Sequence, residues 1–157
     1  MPRIDVVLRT VEALGHGMIV SALGGSGLLA ALGLTDRVRD WDLTTDAEPE
    51  AVASALTCAH LDHAAVEAGE NGYATRARFR VDGGDHEIDL LVGFAFRSAG
   101  STIHIPTRVT GHWRGLPLGD PLAWARAYRL MGRPERALPL ETWLATSGPA
   151  PAAGARD

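Results

Sequence analysis

No lysine occurs anywhere in this chain. All 15 basic side chains are arginine, and against 19 acidic residues they leave a net charge of −4. That balance argues against a surface built to hold long nucleic acids, which are bound through clustered positive charge, and favours a smaller partner. Arginine alone still serves anion recognition well, because its planar fork meets phosphate or carboxylate with two bonds at once. Cysteine is almost as scarce. The single Cys58 excludes an internal disulfide, and inside an apolar helical segment it is expected to be buried packing and not a nucleophile. A long hydrophobic run is also missing. Residues 18–34 come nearest to one, but Gly24, Gly25, Gly27 and Gly33 and two serines break them up, so no bilayer span is expected. The opening Met1-Pro2-Arg3-Ile4-Asp5 leads into an amphipathic pattern carrying Arg9 and Glu12, unlike a secretory leader, and the expected location is the cytoplasm.

What is present is an ordinary globular composition. Apolar residues make up 46% and charged residues 22% of 157 positions, enough for one domain with its own core. The expected division is a domain over residues 1–146 and a disordered tail over 147–157, where Pro, Ala and Gly show no apolar period.

Hydrophobic spacing gives the elements. Ile4, Val7, Leu8, Val11 and Leu14 form one stripe of a first helix, and residues 18–23 read as a short buried strand ending at Gly24-Gly25-Ser26-Gly27. A second helix follows from Leu28, then Asp40-Trp41-Asp42-Leu43-Thr44 alternates with period two. Asp46 is placed to cap a third helix, with Pro49 in its first turn and Val52, Ala55 and Leu56 on its apolar face. Residues 73–81 and 86–92 read as a hairpin about the Asp82-Gly83-Gly84-Asp85 turn, and residues 102–105 and 107–109 as further strands. After a Gly/Pro-rich connection, residues 121–131 and 134–144 read as two C-terminal helices. The fold class is α/β: a short mixed sheet, helices on one face, and that helical pair closing the structure.

Three features converge on chemistry. Glycines between a strand and a helix let backbone N–H groups approach phosphate oxygens closely. Residues i and i+2 of a strand share a face, so Asp40 and Asp42 can grip the same ion while Trp41 packs behind them. Asp89, in Glu87-Ile88-Asp89-Leu90-Leu91, adds a third negative charge from another strand. Three such carboxylates repel unless divalent cations join them, and hard oxygen ligands select Mg²⁺ or Mn²⁺.

At these residues the sequence resembles the DNA polymerase β-like nucleotidyltransferase superfamily, whose pattern is an apolar residue, Gly, Gly or Ser, then Asp-x-Asp and a later Asp. Leu23-Gly24-Gly25-Ser26 and Asp40-Trp41-Asp42-Leu43 carry the likeness, which extends over residues 18–92. Residues 40–52 look especially similar to the head domain of CCA-adding enzymes and bacterial poly(A) polymerases. The chain departs from those enzymes at Ser26-Gly27-Leu28-Leu29, where they carry Val-Arg-Asp, and no counterpart of their long helical domains is expected. It is therefore closer to the small stand-alone members of the superfamily, including antibiotic-modifying and toxin-associated types.

The resemblance implies a polymerase β-like fold and transfer of a nucleoside monophosphate from an NTP, ATP among them, to a hydroxyl on a small molecule, a protein or an RNA end. Asp40 and Asp42 would ligate the ions and Asp89 would complete the acceptor-side metal. Gly24, Gly25 and Ser26 would hold the nucleotide, Gly25 and Ser26 at its β- and γ-phosphates, with Arg39 beside them. The alternative is a module that keeps the fold without the chemistry and serves a protein partner, as in a two-component toxin–antitoxin-like pair.

Other patterns compete less well. Gly24-Gly25-Ser26-Gly27 lacks the third glycine of a dinucleotide loop and the closing glycine of a nucleophile elbow. Arg76, Arg78 and Arg80 alternate along one strand and are read as an exposed edge guarded by charge in preference to a phosphate- or acceptor-binding face. His60 and His63 lack further ligands at a metal-binding interval and are assigned to the surface.

Overall fold

The computed structural model describes residues 1–146, so the expectation for the tail over 147–157 lies outside the described residues. Helix α1 spans Asp5–His16 and buries Val7 and Leu14 from the predicted stripe, with Thr10 and Ala13 beside them. It ends where Ile19 N–H donates to the Leu14 carbonyl at 2.9 Å, a closure that puts Met18 in the left-handed region at φ 61°. This closure uses residues expected in a strand. Met18 and Val20 stand 92% and 63% exposed, only Ile19 enters the core, and strand β1 is confined to Ala22–Gly24.

Helix α2, Gly25–Ala31, starts directly on the glycines, earlier than expected. Strand β2, Trp41–Thr45, and helix α3, Pro49–Cys58, follow, then strand β3, His63–Val66. The hairpin is β4, Ala77–Asp82, and β5, Glu87–Val92. Next come β6, Ala95–Ser98, and β7, Ser101–His104, which pair as a separate two-stranded ribbon. Strands β8, Gly111–Trp113, and β9, Leu116–Leu118, precede helices α4, Pro121–Leu130, and α5, Pro134–Thr146. No helix among the described residues is long and apolar enough to cross a membrane.

The main sheet is mixed and runs β3-β4-β5-β2-β1-β9-β8. Strand β2 lies parallel to β5 and antiparallel to β1, while β1 takes β9 as its parallel neighbour. Trp41, Leu43, Ile88, Leu90 and Val92 are fully buried on one face. They pack with Val7 and Leu14 of α1, Leu28 of α2, and Val52 and Leu56 of α3 in a single core. Trp41 also donates its indole N–H to the Arg3 carbonyl at 2.9 Å, anchoring the start of α1. On the other face α4 covers the end of β1, where Trp124 lies against Gly24 and meets the Phe94 and Tyr128 rings at a tilt.

Several expectations are corrected. The arginine-bearing β4 is not an edge, because β3 pairs along it from His63↔Val81 to Val66↔Arg78. Residues 107–109 form no strand, and the Gly/Pro-rich connection holds the β8–β9 hairpin, whose Gly115 turns at φ 83°. Asp46 does not cap α3. Its carboxylate accepts instead from His104 Nε2 at 3.0 Å and Thr107 N–H at 2.9 Å, tying β7 to the end of β2. Cys58 is exposed, since α3 buries Val52 and Leu56 and a residue two positions past Leu56 lies far around the helix from that stripe.

Candidate active site

The face of the sheet away from α1, α2 and α3 carries the acids. In the parallel β2–β5 pair Asp42 stands directly beside Asp89, so both side chains project to one side. Asp40 lies just ahead of β2, and its Oδ1 accepts from Glu87 N–H at 2.9 Å, fixing it against the start of β5. Asp40, Asp42, Asp89, Gly25, Ser26 and Arg39 all line one cavity of about 560 Å³.

Each glycine of the turn answers to a different neighbour. Gly25 opens α2 at φ 57°, and a Cβ there would fall 2.1 Å from Asp42 Oδ2, so the carboxylate rests against bare backbone. Gly24 does not line the cavity. A Cβ on it would sit 2.0 Å from the Trp124 ring, so its smallness serves the docking of α4.

Asp89 is engaged by Arg78. Nε and Nη2 of the guanidinium donate to Oδ1 and Oδ2 at 2.7 and 2.8 Å. Arg80 turns to Glu87 at 3.5 Å and Arg76 to Glu48 at 3.0 Å. The three arginines read as an exposed edge are thus individually paired, and Arg78 and Arg80 line the cavity.

Electrostatic pressure is greatest at Asp42. Burial, followed by the charges of Asp89 and Asp40, pushes its pKa up to about 7, with Arg78 and Arg136 pulling the other way. A carboxyl so destabilised as an anion is relieved by any cation that reaches it. Asp40 and Asp42 supply the hard oxygen donors that Mg²⁺ takes, and that ion is commonly held by one or two carboxylates with substrate phosphates completing its shell. Among the described residues no three His, Cys, Asp or Glu side chains form a ready metal cage.

Sequence reasoning did not find the wall opposite the acids. Trp124, Tyr128 and Met131 of the α4 segment and Arg133 and Arg136 near the start of α5 line the same cavity, with Arg37 from the loop before β2. Nothing local marks them. They reach the acids only because β9 returns beside β1 and delivers α4 across the end of the sheet. His60 is exposed, as expected for a surface residue. His63 is half-buried, held by the Leu61 carbonyl at 2.8 Å and set edge-on to Phe79.

No protein-family profile matches the chain, and no curated protein matches it by sequence. Solved structures do. The chain superposes on a protein from Thermotoga maritima provisionally assigned as a nucleotidyltransferase, with a TM-score of 0.66, 18% identity, and coverage of 92% of this chain and 96% of that one. This chain has a nucleotidyltransferase fold. The same fold is shared with the antibiotic-resistance factor ANT(2″)-Ia in solution, at a TM-score of 0.62 and 17% identity over 92% of this chain and 86% of that one. A crystal structure of ANT(2″)-Ia in complex with adenylyl-2″-tobramycin superposes with a TM-score of 0.60 at 16% identity, over 90% of this chain and 88% of that one. At these identities the likeness is one of nucleotidyltransferase fold.

Proposed function

We propose that the chain transfers a nucleoside monophosphate from an NTP to an acceptor hydroxyl, releasing pyrophosphate. The observation that carries this reading is the meeting of Asp40, Asp42 and Asp89 on one sheet face, with Asp42 pressed against the Gly25 backbone at the mouth of α2. Asp40 and Asp42 would hold Mg²⁺ or Mn²⁺, which would supply positive charge to offset the negative charge of the phosphates. The residues do the rest by position. Gly25 and Ser26 present unobstructed backbone to phosphate oxygens, and Arg39 adds positive charge from the loop ahead of Asp40. Asp89 keeps lone pairs outside its two Arg78 bonds and receives the hydroxyl proton. The acceptor oxygen bonds to the α-phosphorus, the bond to the bridging oxygen breaks, and pyrophosphate carries off the electron pair.

A small acceptor fits best. A cavity of about 560 Å³ suits a drug-sized molecule beside a nucleotide's reacting end, and the net charge of −4 discourages a long nucleic acid. The adenylyl-2″-tobramycin held by ANT(2″)-Ia is a small-molecule precedent on the same fold. The test is pyrophosphate release with each of the four NTPs and Mg²⁺ or Mn²⁺, across a panel of hydroxyl acceptors. Release that requires the divalent ion and vanishes in Asp42→Ala supports transfer. Silence under every combination leaves the fold as a binding module for a protein partner.

A further inference from the structure

We propose that Arg78 stands where a second, acceptor-side cation would otherwise sit, so that this chain works with one divalent ion on Asp40 and Asp42 and a guanidinium fixed on Asp89. The inference rests on the nucleotidyl-transfer reading above and sharpens it.

The geometry of β4 against β5 sets it up. Arg80 lies directly opposite Asp89 and Arg78 opposite Leu91, so Arg78 approaches Asp89 on the diagonal. Arg80 turns away to Glu87, and Arg78 takes both oxygens of Asp89 in a fork at 2.7 and 2.8 Å. The pair is sheltered, at 28% and 19% side-chain exposure, where such charge-assisted bonds are strongest. An ion arriving at Asp89 would have to share both oxygens with this fork and would set a dication beside a permanent guanidinium charge.

Asp42 and Asp40 differ from Asp89. Neither makes an ion pair with arginine among the described residues, and Asp40 has only its Oδ1 occupied, by the Glu87 N–H. The open oxygens of the site therefore belong to the Asp40–Asp42 pair. In the transfer step Arg78 keeps its protons throughout. Its role is to hold Asp89 in line for the hydroxyl proton and to supply positive charge beside the attacking oxygen, and its Nη1 makes no bond among the described residues.

The experiment counts ions directly. Wild-type chain, Arg78→Gln and Asp42→Ala are each titrated with Mn²⁺ in the presence of non-hydrolysable analogues of the four NTPs, free Mn²⁺ being read by electron paramagnetic resonance. One Mn²⁺ per nucleotide-bound wild-type chain is expected. In Arg78→Gln a second should appear, with kcat in Mg²⁺ lowered roughly 100-fold and partly restored at millimolar Mn²⁺. Two ions in the wild type overturn the inference while leaving nucleotidyl transfer standing. No Mn²⁺ or nucleotide bound to the wild type overturns both. Because the wild-type count decides, a misfolded Arg78→Gln does not blunt the test, and loss of the first ion in Asp42→Ala identifies where it binds.

Discussion

Gly24 and Gly25 are adjacent, yet substituting each should fail differently. Gly25→Ala brings a methyl to 2.1 Å from Asp42 Oδ2 at a φ of 57°, so the carboxylate must move. Pyrophosphate release is expected to fall by about 100-fold or more, since displacement of this size disrupts a near-attack geometry. Gly24→Ala meets the Trp124 ring instead. It should lower stability by about 1–3 kcal/mol in urea unfolding, the usual cost of overpacking, with activity falling only as α4 is displaced. The sequence showed both glycines as a phosphate turn, because local spacing reveals that small residues are needed without revealing what presses against them. Arg78 is the converse case. Its alternation with Arg76 and Arg80 was visible, but the acid it meets lies across the hairpin, and only the observed register shows that the two meet.

Among the elements, those with strong periodicity were legible. α1, β2, the β4–β5 hairpin, α4 and α5 follow their apolar spacing. β3 escaped notice because His63-Ala64-Ala65-Val66 has little strand character of its own and is recruited by the partner strand it covers. The β8–β9 hairpin was hidden by the glycines and proline that shape it. Its arrival beside β1 is what brings α4 to the site, and Trp124 secures that helix against Gly24, Phe94 and Tyr128 while only 4% exposed. Trp124→Ala is expected to destabilise the chain by about 3–5 kcal/mol in denaturant titration, and to weaken nucleotide binding in the fraction that remains folded. Loss of binding without loss of stability would show that α4 is held chiefly by other contacts.

For the molecule as a whole, Asp42 links folding to pH. Its pKa stands at about 7 in the folded chain against an ordinary 3.8, so between those values the folded state keeps a proton that the unfolded state has released. Stability therefore falls as pH rises through that window, by up to about 1.4 kcal/mol per unit, and levels off above it. Glu48 and Glu141 are held below their ordinary range by Arg76 and Arg129 and shift stability the opposite way in more acidic solution. The readout is accordingly the difference between wild type and Asp42→Asn in Tm against pH, and a flat difference from pH 4 to 7 would show that Asp42 is not so perturbed. The same proton would compete with a divalent ion at the proposed site. Saturating Mn²⁺ at a hundred times its Kd should stabilise the wild type by about 2.7 kcal/mol near pH 8, less near pH 6, and Asp42→Asn hardly at all.

The parallel contact of β2 with β5 has a kinetic side as well. Asp42 and Asp89 are neighbours in space only after the chain has looped out the whole of α3, β3 and β4 between them and zipped two distant stretches in a single register. Closing so long a span costs entropy before any pairing rewards it, and ladders of this type form late and slowly. A nascent polypeptide emerging from the ribosome thus has α1 and the glycine bend available well before the cavity exists, and its acids stay apart until the core behind them has condensed.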